Sequence, residues 1–287
     1  IATSRGIKAE EVHTRFSLKG VVFDAQHPDI TLGGWVESRV FADVASKPLG
    51  RSLGNQLLAS IATAALPEER SHVVLSPQAV ARLLPLLVTA FHSDGPDGPQ
   101  GILQSKINTQ IGAPILHIID DAGLPGALAT RSFDGRGVPS SPITLVREGH
   151  MGGVYLGVDE AQKRGVRPTG HFYEDGRLWT GNLLVRAGRR SRNMLFPELG
   201  EFVVIDDFLV DESSATKVFD RNTGAIDVKA RVFVRNEEGT MGFAGIHRFQ
   251  TNLGELFSSV IEMANDQERH GQVDSASWIL QGPWFAS

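Results

Sequence analysis

Phe16, Leu18, Val21 and Phe23 are interleaved with polar or small residues, a pattern that predicts a strand, and Ile30 to Phe41 reads as a second. Gly33-Gly34 inside the second predicts a bulge or a close backbone approach. Leu53, Leu57, Leu58 and Ile61 fall on one helical face, so a helix is expected from about Leu49 to Leu66, ended by Pro67. A short strand, His72 to Leu75, leads into Ser76-Pro77, where serine caps and proline opens a helix running to about Phe91. That helix is apolar nearly all round, which predicts deep burial, and Pro85 inside it predicts a kink.

The run Asp94 to Gly101 reads as a surface loop. Ile115 to Ile119 is expected as a buried strand closed by Asp120-Asp121, with His117 a satisfied core histidine. Gly135 to Pro142 is a turn-rich link into a strand over Ile143 to Arg147, and Glu148-Gly149 makes a hairpin corner with Gly152 to Val158 returning. A short helix spans Asp159 to Gly165, and strands are expected over Leu183 to Arg186 and Phe202 to Val210. Ile226, Val228, Ala230, Val232 and Val234 alternate with charged residues, which predicts one dry face and one wet face. Asn252 caps a helix carrying Leu253, Leu256, Phe257, Val260 and Ile261, and Ala276 to Phe285 reads as a closing strand. The fold class expected is α+β: one β-rich domain over residues 1–287, with curved, mostly antiparallel sheet and a few packed helices.

Composition narrows the chemistry. The chain has 287 residues, 41% hydrophobic and 21% charged, with a net charge of −5, so nothing draws the whole molecule to nucleic acid. Its longest strongly apolar stretch, Ala79 to Phe91, is too short for a membrane span of about 20 residues. Cysteine is absent, which removes disulfides, thiolate nucleophiles and cysteine-containing zinc sites, and fits a cytoplasmic location. The first residue is Ile1, and no secretory leader is expected after it.

Three clusters are candidates for chemistry. His117 and Asp121 would share a strand face and could hold a metal, but the structural reading is favoured because one pair supplies too few ligands. Gly50-Arg-Ser-Leu-Gly54 matches a serine-nucleophile pattern, yet Ser52 falls in the first turn of a helix instead of on a sharp strand-to-helix elbow. The arginines from Arg186 to Arg192 offer a grip for phosphates or an acidic partner surface, but a solvated corner is the favoured reading.

Several short motifs then occur in a recognisable order: Val73-Val-Leu-Ser-Pro-Gln-Ala-Val80, Ile118-Ile-Asp-Asp121, Ser132-Phe-Asp-Gly-Arg-Gly-Val-Pro139, Arg167-Pro-Thr-Gly170, Gly181-Asn-Leu183 and Ala187-Gly188. With Asn252-Leu-Gly-Glu-Leu-Phe257 and Glu262-Met-Ala-Asn-Asp266 at the end, they resemble the TldD/PmbA family, across roughly the whole chain. The resemblance implies a zinc metallopeptidase system of two related subunits acting on unfolded or modified peptides. In the zinc-bearing subunit a His-Glu-x-x-x-His helix and a later cysteine hold the metal. Here the corresponding positions are Leu84, Pro85 and Thr89, which cannot ligate zinc or polarise a water.

The resemblance therefore implies the PmbA/TldE-like subunit, with no catalytic residue and no metal or cofactor of its own, and zinc in a TldD-like partner. The family's N-terminal domain has no counterpart in this sequence. Contacts with a peptide substrate or the partner are expected at Asp134, Gly135, Gly137, Thr169, Gly170 and Asn182, where glycines allow another backbone to approach. Rival readings are a binding or scaffold protein without proteolysis, such as a homodimer, and a hydrolase using His117 and Asp121.

Overall fold

The computed structural model describes residues 6, 8–25, 31–67, 71–93, 102–103, 106–210 and 218–282. Strands β1 (Phe16–Phe23) and β2 (Thr31–Ser38) pair antiparallel as a sheet of their own. Helices α1 (Phe41–Ser46) and α2 (Leu49–Ile61) follow, then β3 (His72–Leu75), α3 (Pro77–Leu87) and a 3-10 turn over Val88–Phe91. Next come β4 (His92–Ser93), β5 (Ile118–Asp121), β6 (Ile143–Arg147), β7 (His150–Met151), β8 (Tyr155–Leu156), α4 (Val158–Arg164), β9 (Asn182–Val185) and α5 (Arg192–Leu199). The remainder holds β10 (Phe202–Phe208), β11 (Ala225–Arg235), β12 (Met241–Asn252), α6 (Leu253–Ser258), β13 (Val260–Met263), β14 (Glu268–His270), β15 (Val273–Ser275) and β16 (Trp278–Gln281).

Two six-stranded sheets carry the architecture, in the orders β12-β11-β10-β3-β16-β13 and β14-β15-β9-β5-β6-β7. Most neighbours are antiparallel, as expected. The exceptions are β3 with β10, β9 with β15, and β4 with β8, which run parallel. Helix α3 packs against β10 and β3 of the first sheet and against β14 and β15 of the second, so it bridges the two. Val80, Leu83, Leu84 and Leu87 on its inner face are at most 2% exposed and join a core that takes residues from both sheets. Burying each such side chain contributes about 1.5–3 kcal/mol, which is what fixes this helix in place.

Several expectations shift by a few residues for identifiable reasons. Helix α2 stops at Ile61 because the next residues pair with β12: Ala64 N–H donates to Phe243 O at 2.9 Å, and Phe243 N–H donates to Ala62 O at 2.6 Å. Strand β2 ends at Ser38, whose hydroxyl turns the chain into α1 by accepting from Val40 N–H and donating to Asp43. Gly33-Gly34 makes no bulge, since the β1–β2 register runs unbroken. Gly34 instead admits α2, and a Cβ there would lie 3.0 Å from Leu53 Cδ2. Ser76 caps α3 as expected, accepting from Ala79 N–H at 3.0 Å, and the helix continues through Pro85 before tightening at Val88.

The Asp120-Asp121 pair ends its strand as expected, and Asp121 accepts from Gly123 N–H in the turn that follows, although β5 begins only at Ile118. The expected Gly152 to Val158 strand reduces to β8, and the residues that return along β6 are those of β7, just after the corner that Glu148 and Gly149 do form, both with positive φ (50° and 78°). In β11 the wet face dries out from Arg231 onward, because Asp206 pairs with that arginine and Phe243 covers Phe233. Strands β12, β14 and β15 and helices α1 and α5 have no counterpart among the expected elements, and Val260 and Ile261, expected in the last helix, lie in β13 because α6 ends at Ser258 and β13 pairs with β16. The loop over Asp94 to Gly101 and the last residues of the expected closing strand lie outside the described residues. No helix among the described residues is long and apolar enough to cross a membrane.

Candidate functional site

Helix α3 floors a groove made of two cavities of about 680 and 750 Å³ that meet at Leu178. Ala81 and Arg82 line the smaller cavity; Leu86, and Thr89 in the turn after the helix, line the larger one. Arg82 lies over the Trp35 ring, 3.6 Å from its centroid, and its Nε donates to Asp207 at 3.2 Å. Burial pushes the Asp207 carboxyl up, against the opposing pull of Arg82 and Arg231.

The facing wall is a hairpin, Phe172 to Trp179. Gly176 turns it with φ 89°, and Asp175 accepts from Arg177 N–H at 3.0 Å, which holds the exposed Asp175 carboxyl below its usual range. The Tyr173 and Trp179 rings stack with centroids 4.7 Å apart and planes within 6°. Guanidinium groups close both ends of the stack: Arg131 lies 4.4 Å from the Trp179 centroid, and Arg177 5.1 Å from that of Tyr173. Arg131 is buried and donates to the carbonyls of Ala129, Thr180 and Trp179. Its burial lowers its affinity for a proton, while Asp120 and Asp134 oppose that.

Five of the six expected contact positions are brought together behind this wall. Asp134 is 1% exposed; its Oδ1 accepts from the N–H groups of Arg136 (2.9 Å) and Val138 (3.0 Å), and its Oδ2 from that of Phe172 (3.2 Å). Gly135 N–H donates to Phe172 O at 2.8 Å, and a Cβ on Gly135 would lie 2.6 Å from Glu174 N. Gly137 (φ 77°) completes the turn, and Gly170 (φ 72°) lies so close to Pro139 O that a Cβ would overlap it. Thr169 Oγ1 accepts from Leu156 N–H at 3.1 Å. Asn182 sits apart, accepting from Ala129 N–H and donating to Asp121 O. The glycines thus admit other stretches of this same chain, and the polar groups point inward: these residues hold the wall.

The three positions expected to correspond to the zinc motif do not share one face. Leu84 is 1% exposed and packs into the core, Pro85 is half-buried, and Thr89 borders the larger cavity with its hydroxyl donating to Leu86 O at 2.6 Å. His117 is a half-buried surface residue, not a core histidine. Its Nδ1 lies 3.3 Å from Arg186, and burial together with the charges of Arg186 and Arg147 lowers its affinity for a proton. Asp121, on the same strand face, accepts from Gly123 N–H at 2.8 Å. Ser52 lies within α2, and in the arginine-rich corner Arg190 pairs with Glu198 and Arg192 with Asp266.

Residues 68–285 match the PmbA/TldA metallopeptidase C-terminal domain. The chain belongs to the TldD/PmbA family. It is 25% identical over 218 residues to an uncharacterized protein of Methanocaldococcus jannaschii, covering 74% of this chain and 50% of the relative. It is 32% identical over 75 residues to a metalloprotease of Synechocystis, covering 26% of this chain and 16% of that one. Two solved structures share the fold. TldE from Thermococcus kodakarensis superposes with a TM-score of 0.78 at 17% identity, covering 95% of this chain and 62% of that one. A Bacteroides thetaiotaomicron protein described as a candidate modulator of DNA gyrase gives 0.82 at 18% identity, covering 99% and 62%. The chain spans about half the length of the M. jannaschii relative.

The metal implied by a metallopeptidase family does not fit the groove of this TldD/PmbA chain. Helix α3 and the turn after it offer Ala81, Arg82, Leu86 and Thr89, with no imidazole, carboxylate or thiolate, and a guanidinium there repels a cation. His92 lines the larger cavity, with Asp175 and Asp220, but those carboxylates are engaged by Arg177 and by Asn222 and Thr223. Among the described residues no three His, Cys, Asp or Glu side chains are gathered to hold an ion.

Proposed function

We propose that this chain is a non-catalytic, TldE-like subunit that completes the substrate cavity of a zinc-bearing, TldD-like partner in a cytoplasmic peptidase acting on unfolded or modified peptides. The observation that carries this reading is the groove-facing surface of α3, which offers no group able to bind a metal or activate water. The name of the T. kodakarensis structure suggests the subunit type. Zinc belongs to the partner in this reading, and this chain contributes shape: a floor from α3 and a rigid aromatic wall from Tyr173 and Trp179. Asp134, Gly135, Gly137, Thr169 and Gly170 serve the peptide by holding that wall, and Asn182 by fixing Ala129, whose carbonyl accepts from Arg131.

Co-expression with a family member carrying His-Glu-x-x-x-His tests the reading. The two chains are expected to co-purify, and a chelator-sensitive peptidase activity is expected from the pair but from neither chain alone. Peptidase activity with one tightly held metal per molecule of this chain alone overturns it.

A further inference from the structure

The smaller cavity of the groove, about 680 Å³, is lined by Arg15, Arg39 and Arg82, and among its described lining residues the one carboxylate is Glu37. Glu37 is spent on Arg15, whose Nη2 donates to it at 2.6 Å. Arg39 pairs with no carboxylate among the described residues. Its Nε and Nη2 donate to the Leu128 carbonyl at 3.3 and 3.2 Å, Nη2 donates also to that of Thr130, and Nη1 lies 2.7 Å from His13 Nδ1. Carbonyls hold a guanidinium in place without cancelling its charge.

Arg82 on α3 is held more rigidly still. Its guanidinium lies over the Trp35 ring, and its Nε donates to Asp207, a carboxylate shared with Arg231 at 3.6 Å. Nη1 and Nη2 of Arg82 have no hydrogen-bond partner among the described residues, and neither is buried. Their hydrogens form the end of a planar fork that opens into the cavity. Such an edge matches the two oxygens of one carboxylate. Because the ring and the Nε bond already fix the side chain, little freedom is lost when a ligand arrives. The Tyr173 and Trp179 rings also line the cavity, but Arg177 and Arg131 cover the ends of their stack, so a ligand meets ring edges there. What the cavity offers a ligand is charge.

We propose that the smaller cavity is a carboxylate subsite of the groove: the free edge of Arg82 takes a carboxylate of the peptide end-on, and Arg39 supplies unbalanced positive charge beside it. The proposal rests on the reading of the groove as a peptide path and adds a substrate class to it, peptides that place a carboxylate at this point. A peptide's C-terminus and an aspartate or glutamate side chain present the same planar pair of oxygens, so either source fits the edge. A phosphate would meet the same edge, but a chain with a net charge of −5 repels a polyanion such as nucleic acid.

Four peptides of one glycine- and serine-rich sequence, fluorescein-labelled at the N-terminus, test the proposal by anisotropy with the full chain. They carry a free or amidated C-terminus, and glutamate or glutamine at one internal position. The free-acid glutamate peptide is expected to bind at least about tenfold more tightly than the amidated glutamine one. Arg82→Gln is expected to abolish that preference. Arg82→Lys keeps a charge beside Asp207 without the two-pronged edge, and is expected to lose most of the preference too. A preference lost on amidation assigns the C-terminal carboxylate, and one lost on exchange of glutamate assigns a side chain. Equal or absent binding of the four peptides by the wild type, a preference that survives R82Q, or tighter binding of a single-stranded oligodeoxythymidine overturns the proposal. The wild-type comparison decides alone should the variants not fold. Equal affinities leave the peptidase-subunit reading standing, whereas that reading falls on co-purification and cleavage by the pair, which this assay does not measure.

Discussion

The two sides of the groove are held by different forces. The floor, α3, is fixed by apolar burial: Val80, Leu83, Leu84 and Leu87 face a core shared by both sheets. The wall is fixed by buried polar groups, with Asp134 collecting three backbone N–H donors, Arg131 spending its hydrogens on carbonyls, and Asp120 taking Tyr155 and Gly181. Apolar packing is forgiving, because a lost contact costs area and a cavity. A buried polar cluster is not, because removing one member strands the rest without solvent.

That difference sets the sizes of the expected effects. Asp134→Ala leaves the N–H groups of Arg136, Val138 and Phe172 unpaired beside a buried guanidinium, and is expected to cost about 3–5 kcal/mol in urea unfolding. A loss below about 1 kcal/mol would break the contrast, since an ordinary surface substitution does as much. Leu84→Ala opens a cavity under the floor and is expected to cost about 2–4 kcal/mol. Leu84→His sharpens the point: it places a ring in the core, so stability should drop with no gain in zinc affinity by calorimetry. Tight zinc binding by that variant would mean that the position reaches the groove.

Smaller effects come from the helix ends and backbone. Ser76→Ala removes the cap on Ala79 N–H and the bond to Asp206 O, and should cost about 1 kcal/mol by thermal unfolding. Pro85→Ala restores a donor to the helix interior at a half-buried position and is expected to stabilise by roughly 0.5–1 kcal/mol. Destabilisation there would show that the ring packs as part of the floor.

The same contrast explains what was legible beforehand. The Ser76-Pro77 start of α3 and its apolar face, the Asn252 cap and the strand around Ile226 to Val234 all rest on neighbours in the chain, so local pattern revealed them. Strand β12 has weak alternation, with Gly242 and Gly245 in it, and exists because β11 offers an edge along its whole length. Asp120-Asp121 does end β5, but the burial of Asp120 was not legible, because its donors Tyr155 and Gly181 lie 35 and 61 residues further on. Thr169, Gly170 and Asn182 stand out in the sequence for the glycines beside them, while the stacked Tyr173 and Trp179 carry no spacing signal.

By itself the sequence determined the family, the capped and buried α3, and the absence of metal-binding side chains at Leu84, Pro85 and Thr89, since those follow from residue identity and short-range order. Only the tertiary structure decided that Leu84 faces the core while Thr89 faces the groove, that the glycine-rich loops grip each other, and that Tyr155 meets Asp120. Those outcomes depend on which distant groups share a solvent-free interior, and hydrogen bonding and charge in such an interior are set by neighbours in space.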